Sequence, residues 1–474
     1  MTQSVSSLAQ LLDALTNAAE QRLQNTRGDE LIVSPDVSAI TEHLKATYDF
    51  EAPVPHARLF ADVLTMLRTW DLDSTHPRYF GLFNPPALPI TVAADALVAM
   101  FNPQVGTHTH APGANQIEQH VLRFLSERIG FDASRAHAHF TSGGQEANTT
   151  AIATALTHHF PDVAEEGLQS LGARPVLYAS QLAHHSIQKA ARLLGLGDKA
   201  VRSIPADEDG CMRVAALHDK IVEDRNSQFS PFLVVATAGT TSIGSIDPLA
   251  RIAGTTNAEG LSLHVDAAWA GTALLSPHLR QYLSGIEKAD SVTWDAHKWM
   301  DVPMGAGMVF FSGDRAPAST FHADTGYVPS TSNAEDLEPY QSTFQWSRRL
   351  MGLKVFMALA SLSAGGYAQM LDAQVRMGNT LRHKLANAGW KMVNNTPLPL
   401  VCFTDPVLDQ TPDAPSEFAT RLQRRGRVWI SSVTTHSGAA LRACITSFDT
   451  NDEDLEVLID ELETCRSEFQ PENL

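Results

Sequence analysis

From about residue 75 to 345, short apolar runs alternate with stretches patterned for helices, and this alternation constrains the fold more than any other feature. The runs 137–140, 176–179, 232–236, 261–265, 291–293 and 307–311 are of strand length. Helical spacing governs 115–129, 146–157, 186–194 and 214–224 between them. Such alternation predicts an α/β fold, a mostly parallel central sheet with helices on both faces. Ligands of such sheets lie at the carboxyl ends of the strands. Asp266 closes one run, and Lys298 follows another within Asp295-Ala296-His297-Lys298-Trp299.

The flanks differ in character. Leu8, Leu11, Leu12 and Leu15 fall at helical spacing, as do Leu59, Phe60, Val63, Leu64 and Leu67, with breaks at Ser34-Pro35-Asp36 and Ala52-Pro53-Val54-Pro55. Residues 1–75 are therefore expected to form a helical arm that packs on its own body or on a partner subunit. Residues 76–345 form the large domain. Residues 346–474, with a long helical pattern, runs at 398–403, 428–432 and 441–445 and a terminal helix, form a smaller α+β domain. The net charge of -18, from 35 basic and 53 acidic residues, argues against sequence-independent binding of nucleic acid. Four scattered cysteines show neither metal-ligand spacing nor a disulfide framework, which fits a reducing, cytoplasmic compartment. No signal peptide is expected. The longest mostly apolar segment, 89–101, contains Asp95 and is shorter than the ~20 residues of a membrane span.

A lysine near a strand end is ordinarily a solvated surface residue. Behind an apolar run, between His297 and Trp299, the Lys298 ammonium would be desolvated and its pKa lowered, as condensation with an aldehyde requires. Asp266 could be a simple helix cap. A buried carboxylate, however, needs a partner, and a protonated pyridine is one. Ala267 and Ala268 leave room for a flat ring. Together Lys298 and Asp266 are what a pyridoxal phosphate site requires. The turn Thr141-Ser142-Gly143-Gly144-Gln145 exposes backbone N–H groups at a helix start, where an anion such as phosphate is favoured. Paired glycines are common in such turns, and no Walker lysine follows. His184 could stack on a ring or act on a carboxylate; it could equally cap the helix that starts near Ser186. Gly239-Thr240-Thr241-Ser242 is a further turn whose hydroxyls could reach the site.

In this order the motifs resemble the group II pyridoxal phosphate decarboxylases of fold type I, which include aromatic amino acid, glutamate and diaminobutyrate decarboxylases. The resemblance rests on His76-Pro77-Arg78-Tyr79-Phe80, Gly143-Gly144, Ala183-His184, Gly239-Thr240-Thr241, His264-Val265-Asp266-Ala267-Ala268 and His297-Lys298-Trp299, and continues weakly to Leu441-Arg442-Ala443-Cys444-Ile445. It implies that Lys298 carries the cofactor, Asp266 holds its ring nitrogen beside Ala268, and His184 stacks over the ring. Gly144, Gln145, His297 and Asp295 would lie by the phosphate, and Thr241 near cofactor and substrate carboxylate. Tyr327 matches a loop tyrosine thought to protonate the substrate α-carbon. Gln145 stands where many members have Ser or Thr, and Asp295 where some have Asn. The family is usually dimeric, which suits the arm.

Tyr79, Leu82 and Phe83, with Phe80, correspond to a substrate-proximal segment whose character favours a flat apolar amino acid. An acidic substrate would want a positioned arginine, with Arg78, Arg348 and Arg349 as candidates. An aminotransferase would share Lys298 and Asp266 and use an arginine such as Arg442, which reads instead as a structural strand residue. A desulfurase lacks a cysteine in a mobile loop, and a non-catalytic binding protein fits poorly with intact Lys298, Asp266, His184 and Tyr327.

Overall fold

The computed structural model describes residues 2–25, 27–28, 30–31, 36–313, 317–323, 338–435 and 438–469. Strands β1 (His137–Thr141), β2 (Arg174–Ser180), β3 (Val201–Ile204), β4 (Phe229–Thr237), β5 (Ser262–Asp266), β6 (Ser291–Asp295) and β7 (Gly307–Phe311) form one sheet in the order β1-β7-β6-β5-β4-β2-β3. The five strands from β3 to β6 are parallel, and β7 runs antiparallel to both β6 and β1. All six expected runs are strands; only β3, a short edge strand, was not anticipated.

The runs are continuous rather than alternating because helices cover both faces of the sheet. β5, β6 and β7 are buried along their whole length. Trp269, Trp294 and Trp299 are the largest side chains of the core beneath the strand ends. A group of polar residues interrupts the apolar interior between β5 and β6. His264 on β5 and Ser291 and Thr293 on β6 are buried, and the register pairs His264 with Ser291 and Asp266 with Thr293. Residues two apart on a strand share a face, so all four point to one side.

The N-terminal helices are α1 (Thr2–Asn25), α2 (Val37–Thr47) and α3 (His56–Trp70), followed by α4 (Pro89–Phe101), α5 (Pro112–Ile129) and α6 (Gly144–His159). The arm meets its own body at a few points: Leu31 N–H donates to Gly426 O (2.8 Å), and Arg27 pairs with Asp454 (3.3 Å). Its apolar stripes stay open, with Leu8, Leu12 and Leu15 of α1 and Leu59, Val63 and Leu67 of α3 exposed. Downstream, the helix Gly352–Asn387, interrupted at Ser363 (φ 59°), leads to a second sheet. That sheet is antiparallel in the order β10-β11-β9-β8, from β8 (Lys391–Met392), β9 (Leu400–Thr404), β10 (Ser431–Thr435) and β11 (Gly438–Cys444). The terminal helix Asp452–Glu468 starts on a capping box between Asn451 and Asp454. Among the described residues no helix is long and apolar enough to cross a membrane, and all four cysteines are free.

Candidate active site

The carboxyl ends of β4, β5 and β6 are tied together by their backbones. Ala238 N–H donates to Asp266 O (2.9 Å), Ala267 N–H to Thr293 O (3.1 Å) and Asp295 N–H to Ala268 O (2.7 Å). Asp266 is the last residue of β5, and Lys298 sits on the single helical turn Ala296–Trp299 that follows β6 directly. Strand burial thus fixes the two residues on adjacent strand ends.

Asp266 is 5% exposed. It accepts from Asn148 Nδ2 (2.9 Å) and from Ala268 N–H (3.1 Å). Among the described residues no cation pairs with it. A buried carboxylate in that condition calls for a cationic partner. Lys298 Nζ stands 3.0 Å from Asp295 Oδ2, and Gly144 N–H donates to the same oxygen (3.0 Å). Asp295 Oδ1 is buried without a partner. His297 accepts from Ala306 N–H at Nδ1 (3.1 Å), and its Nε2 lies 3.8 Å from Asp295 Oδ2. Burial lowers the His297 pKa, with Asp295 opposing.

His184 is exposed and accepts from Ser186 N–H at Nδ1 (3.2 Å). Dehydration by the surrounding chain lowers its pKa; Asp266 and Asp295 oppose this, while Lys298 and His185 add to it. These groups therefore feel one another's fields. Only glycine fits at 144, because a Cβ there would come within 2.8 Å of Asp295 Oδ2 and 3.5 Å of Ala268 Cβ. Gln145 turns away along α6, donating from Nε2 to Thr149 Oγ1 (3.1 Å) and Ser186 O (3.3 Å). Thr241 is half-buried. Tyr327 lies outside the described residues.

A buried acid without a cation, a lysine on the neighbouring strand end, an imidazole that feels the charge of both and a glycine turn at a helix start fit pyridoxal phosphate. Lys298 would hold its aldehyde carbon, Asp266 its ring nitrogen, and the Gly143–Gly144 turn with His297 its phosphate.

The substrate-proximal segment is arranged differently from its apolar reading. Tyr79 is buried and stacks on Trp429 (5.0 Å between ring centres), and burial pushes its hydroxyl pKa up to about 12. Phe80 is enclosed in the core of the smaller sheet. Phe83 stacks on Trp269 (4.3 Å), and Leu82 alone is exposed. The three candidate arginines are each neutralised: Arg78 by Asp454 (3.0 Å), Arg348 by Glu118 (2.7 Å) and Arg349 by Asp95 (3.5 Å).

Arg442 is not. It is buried on β11, donating from Nε to Ser431 Oγ (3.0 Å), from Nη2 to Gly81 O (2.7 Å) and from Nη1 to Thr241 O, with its guanidinium over the Phe83 ring. Among the described residues it meets no carboxylate. Sequence reasoning set it aside as structural, since a pattern along the chain does not report which arginines find an acid. Asn148 and His264 were also missed, although a polar pair inside apolar elements was a usable signal.

The sequence profile of the pyridoxal-dependent decarboxylase conserved domain matches residues 42–405. The acidic amino acid decarboxylase GADL1 of Bos taurus is 29% identical over 89% of this chain and 84% of its own. The aromatic-L-amino-acid decarboxylase of Bacillus atrophaeus is 29% identical over 81% and 80%. In three dimensions, mouse CSAD in apo form superposes with a TM-score of 0.89 at 24% identity, covering 97% of this chain and 99% of that one.

Proposed function

The chain belongs to the pyridoxal-dependent decarboxylase family, an amino acid decarboxylase working with pyridoxal 5'-phosphate, and from that premise we propose that its substrate carries a second acid on its side chain. The observation behind this reading is Arg442, a buried cation without a carboxylate. Arginine has five N–H donors; three are used here, so two remain for a bound anion.

Two carboxylates of such a substrate compete for that place, and chemistry separates them. An arginine on the departing α-carboxylate would stabilise the ground state more than the transition state, in which that charge is being lost. On the retained side-chain acid it binds both states alike. The lean towards an aromatic substrate rested on Tyr79, Phe80, Leu82 and Phe83; the three rings pack against Trp429, the small-domain core and Trp269, and Leu82 is exposed. The acidic specificity named for GADL1 agrees with the acidic reading. An aromatic substrate is the second reading, favoured by exposed Leu82 beside the Phe83–Trp269 stack.

The bound cofactor supplies a sink for the electron pair left behind when the carboxylate departs. Asp266 would set its carboxylate against the ring nitrogen. Lys298 would be the residue that carries the cofactor between turnovers. His184, its pKa lowered by dehydration, would stack over the ring. The buried Phe83–Trp269 stack would keep water from the departing carboxylate, which favours neutral carbon dioxide. Tyr327 returns a proton to the α-carbon.

A homodimer belongs to the same proposal. α3 leaves Leu59, Val63 and Leu67 exposed and α4 leaves Leu97, Met100 and Phe101, apolar rows of the kind that a second copy covers. The four free thiols suit a cytoplasmic setting. Incubating the holoenzyme with the twenty amino acids and cysteine sulfinate, and identifying amines by mass spectrometry, tests the reading. Turnover of an acidic substrate is expected; turnover of aromatic amino acids alone would overturn it.

A further inference from the structure

We propose that Asn148 and His264 are positioning residues that hold Asp266 as an oriented anion against the cofactor's ring nitrogen. The inference rests on the reading of Asp266 given above. It goes beyond that reading by explaining how an uncharged interior keeps this acid charged.

The amide of Asn148, buried on α6, makes four hydrogen bonds. Nδ2 faces Asp266 Oδ2 (2.9 Å) and Ser186 Oγ (2.8 Å); Oδ1 faces Thr293 Oγ1 (2.7 Å) and His264 Nε2 (3.0 Å). The alternative orientation would bring two acceptor oxygens together at Asp266, so Asp266 itself selects the amide's direction. Oδ1 can only accept. His264 must then carry its proton on Nε2 and Thr293 must donate its hydroxyl proton. That leaves His264 Nδ1 to accept from Ser291 Oγ (2.8 Å). Burial drives the His264 pKa down to about 4, in keeping with a neutral ring.

Every donor in the row Ser291, His264, Asn148 points towards Asp266. Aligned hydrogen bonds of this kind reinforce one another and favour the charged form of the final acceptor. Asp266 then has two acceptor positions filled, by Asn148 and Ala268, and others open towards the cleft. With the row intact, the shared proton stays on the ring nitrogen, giving carboxylate against pyridinium. With the row broken, the proton moves towards Asp266, giving carboxylic acid against neutral pyridine. No atom is gained or lost; only the position of that proton changes.

Strand register makes the row possible. His264 and Asp266 lie two apart on β5, opposite Ser291 and Thr293 of β6, and α6 lays Asn148 across all four. The row touches neither substrate nor reacting atoms, so its members position rather than catalyse.

The holoenzyme is loaded with cofactor labelled with nitrogen-15 in the ring, and the ring-nitrogen chemical shift is read by NMR with the cofactor dissociation constant. In Asn148→Leu the shift should move from the protonated towards the unprotonated range, and cofactor affinity should fall about ten- to hundredfold, the loss of one hydrogen bond to a charged group. Thr293→Val, a milder change that leaves the Asn148–Asp266 contact itself in place, should move both in the same direction by less, and it decides the question should Asn148→Leu not fold. His264→Gln, which keeps an N–H towards Asn148, should restore the protonated shift relative to His264→Leu. Parental shift and affinity in folded Asn148→Leu, or in Thr293→Val if that is the variant that folds, would overturn the proposal. Asp266→Asn separates this from the underlying reading. If it moves the shift while the row variants do not, the row is refuted and the Asp266 reading stands; if it also leaves the ring protonated, both fall.

Discussion

Replacing Arg442 with methionine separates a substrate contact from a structural strap. Three N–H donors would be lost, to Thr241 O, Gly81 O and Ser431 Oγ. Gly81 O keeps Ser431 Oγ at 3.2 Å, so Thr241 O is the main group left unpaired, costing about 1–3 kcal/mol. Against this, a buried cation without a counter-charge disappears, which offsets part of that loss. The net change in stability is therefore small, within about 2 kcal/mol. The effect on substrate is larger. A guanidinium–carboxylate hydrogen bond contributes about 1.5–3 kcal/mol, so KM for the acidic substrate should rise roughly ten- to hundredfold, with kcat changed much less. Steady-state carbon dioxide release, with thermal denaturation of the same preparations, provides both quantities. An unchanged KM with a fall in Tm of many degrees would refute the reasoning and leave Arg442 as a strap between the two sheets.

Other outcomes follow from buried charge elsewhere. Glu118 pairs with Arg348 (2.7 Å) and accepts from Met351 and Gly352 N–H, while Arg348 Nε and Nη1 have no partner. Glu118→Gln should therefore destabilise the protein by about 3–5 kcal/mol in urea denaturation, because it strands a buried cation; a change below about 1 kcal/mol would contradict this. Asp301 is fully buried in the left-handed region (φ 54°) with neither carboxylate oxygen paired, and burial first, then Asp449, raises its pKa well above the usual carboxylate range. A group whose pKa is raised in the fold contributes stability below its unfolded value and loses it as pH rises through the folded one. Asp301→Asn, which tolerates the same backbone, should raise Tm at pH 8 and show little difference near pH 4. A Tm gain that persists undiminished at pH 4 would contradict the assignment.

The large sheet was legible because strands buried on both faces carry unbroken apolar runs, and all six came through. β3 has only four residues and a half-exposed pattern at the sheet edge, too little for periodicity to register. The chemistry at the strand ends was legible for the same reason: a charged residue closing an apolar run, as Asp266 does, stands out. What sequence did not give was direction. Tyr79, Leu82 and Phe83 read as substrate contacts because they lie near the right motif; in the fold Tyr79 stacks on Trp429, Phe83 stacks on Trp269 and Leu82 is exposed, while neighbouring Phe80 is enclosed in the core of the smaller sheet. Pairing was hidden in the same way. Arg78 finds Asp454 across 376 positions, whereas Arg442 finds no acid among the described residues. The links among Asn148, His264 and Thr293 depend on strand register, which no single run of residues records.

The account depends most on a covalent bond at Lys298, and reduction tests it directly. Borohydride treatment of the holoenzyme, followed by proteolysis and mass spectrometry, should place one cofactor-derived mass on the peptide containing Lys298. Lys298→Ala should carry no such mass and release no carbon dioxide. A tag on a different lysine, or steady-state turnover that survives in Lys298→Ala, would contradict the account.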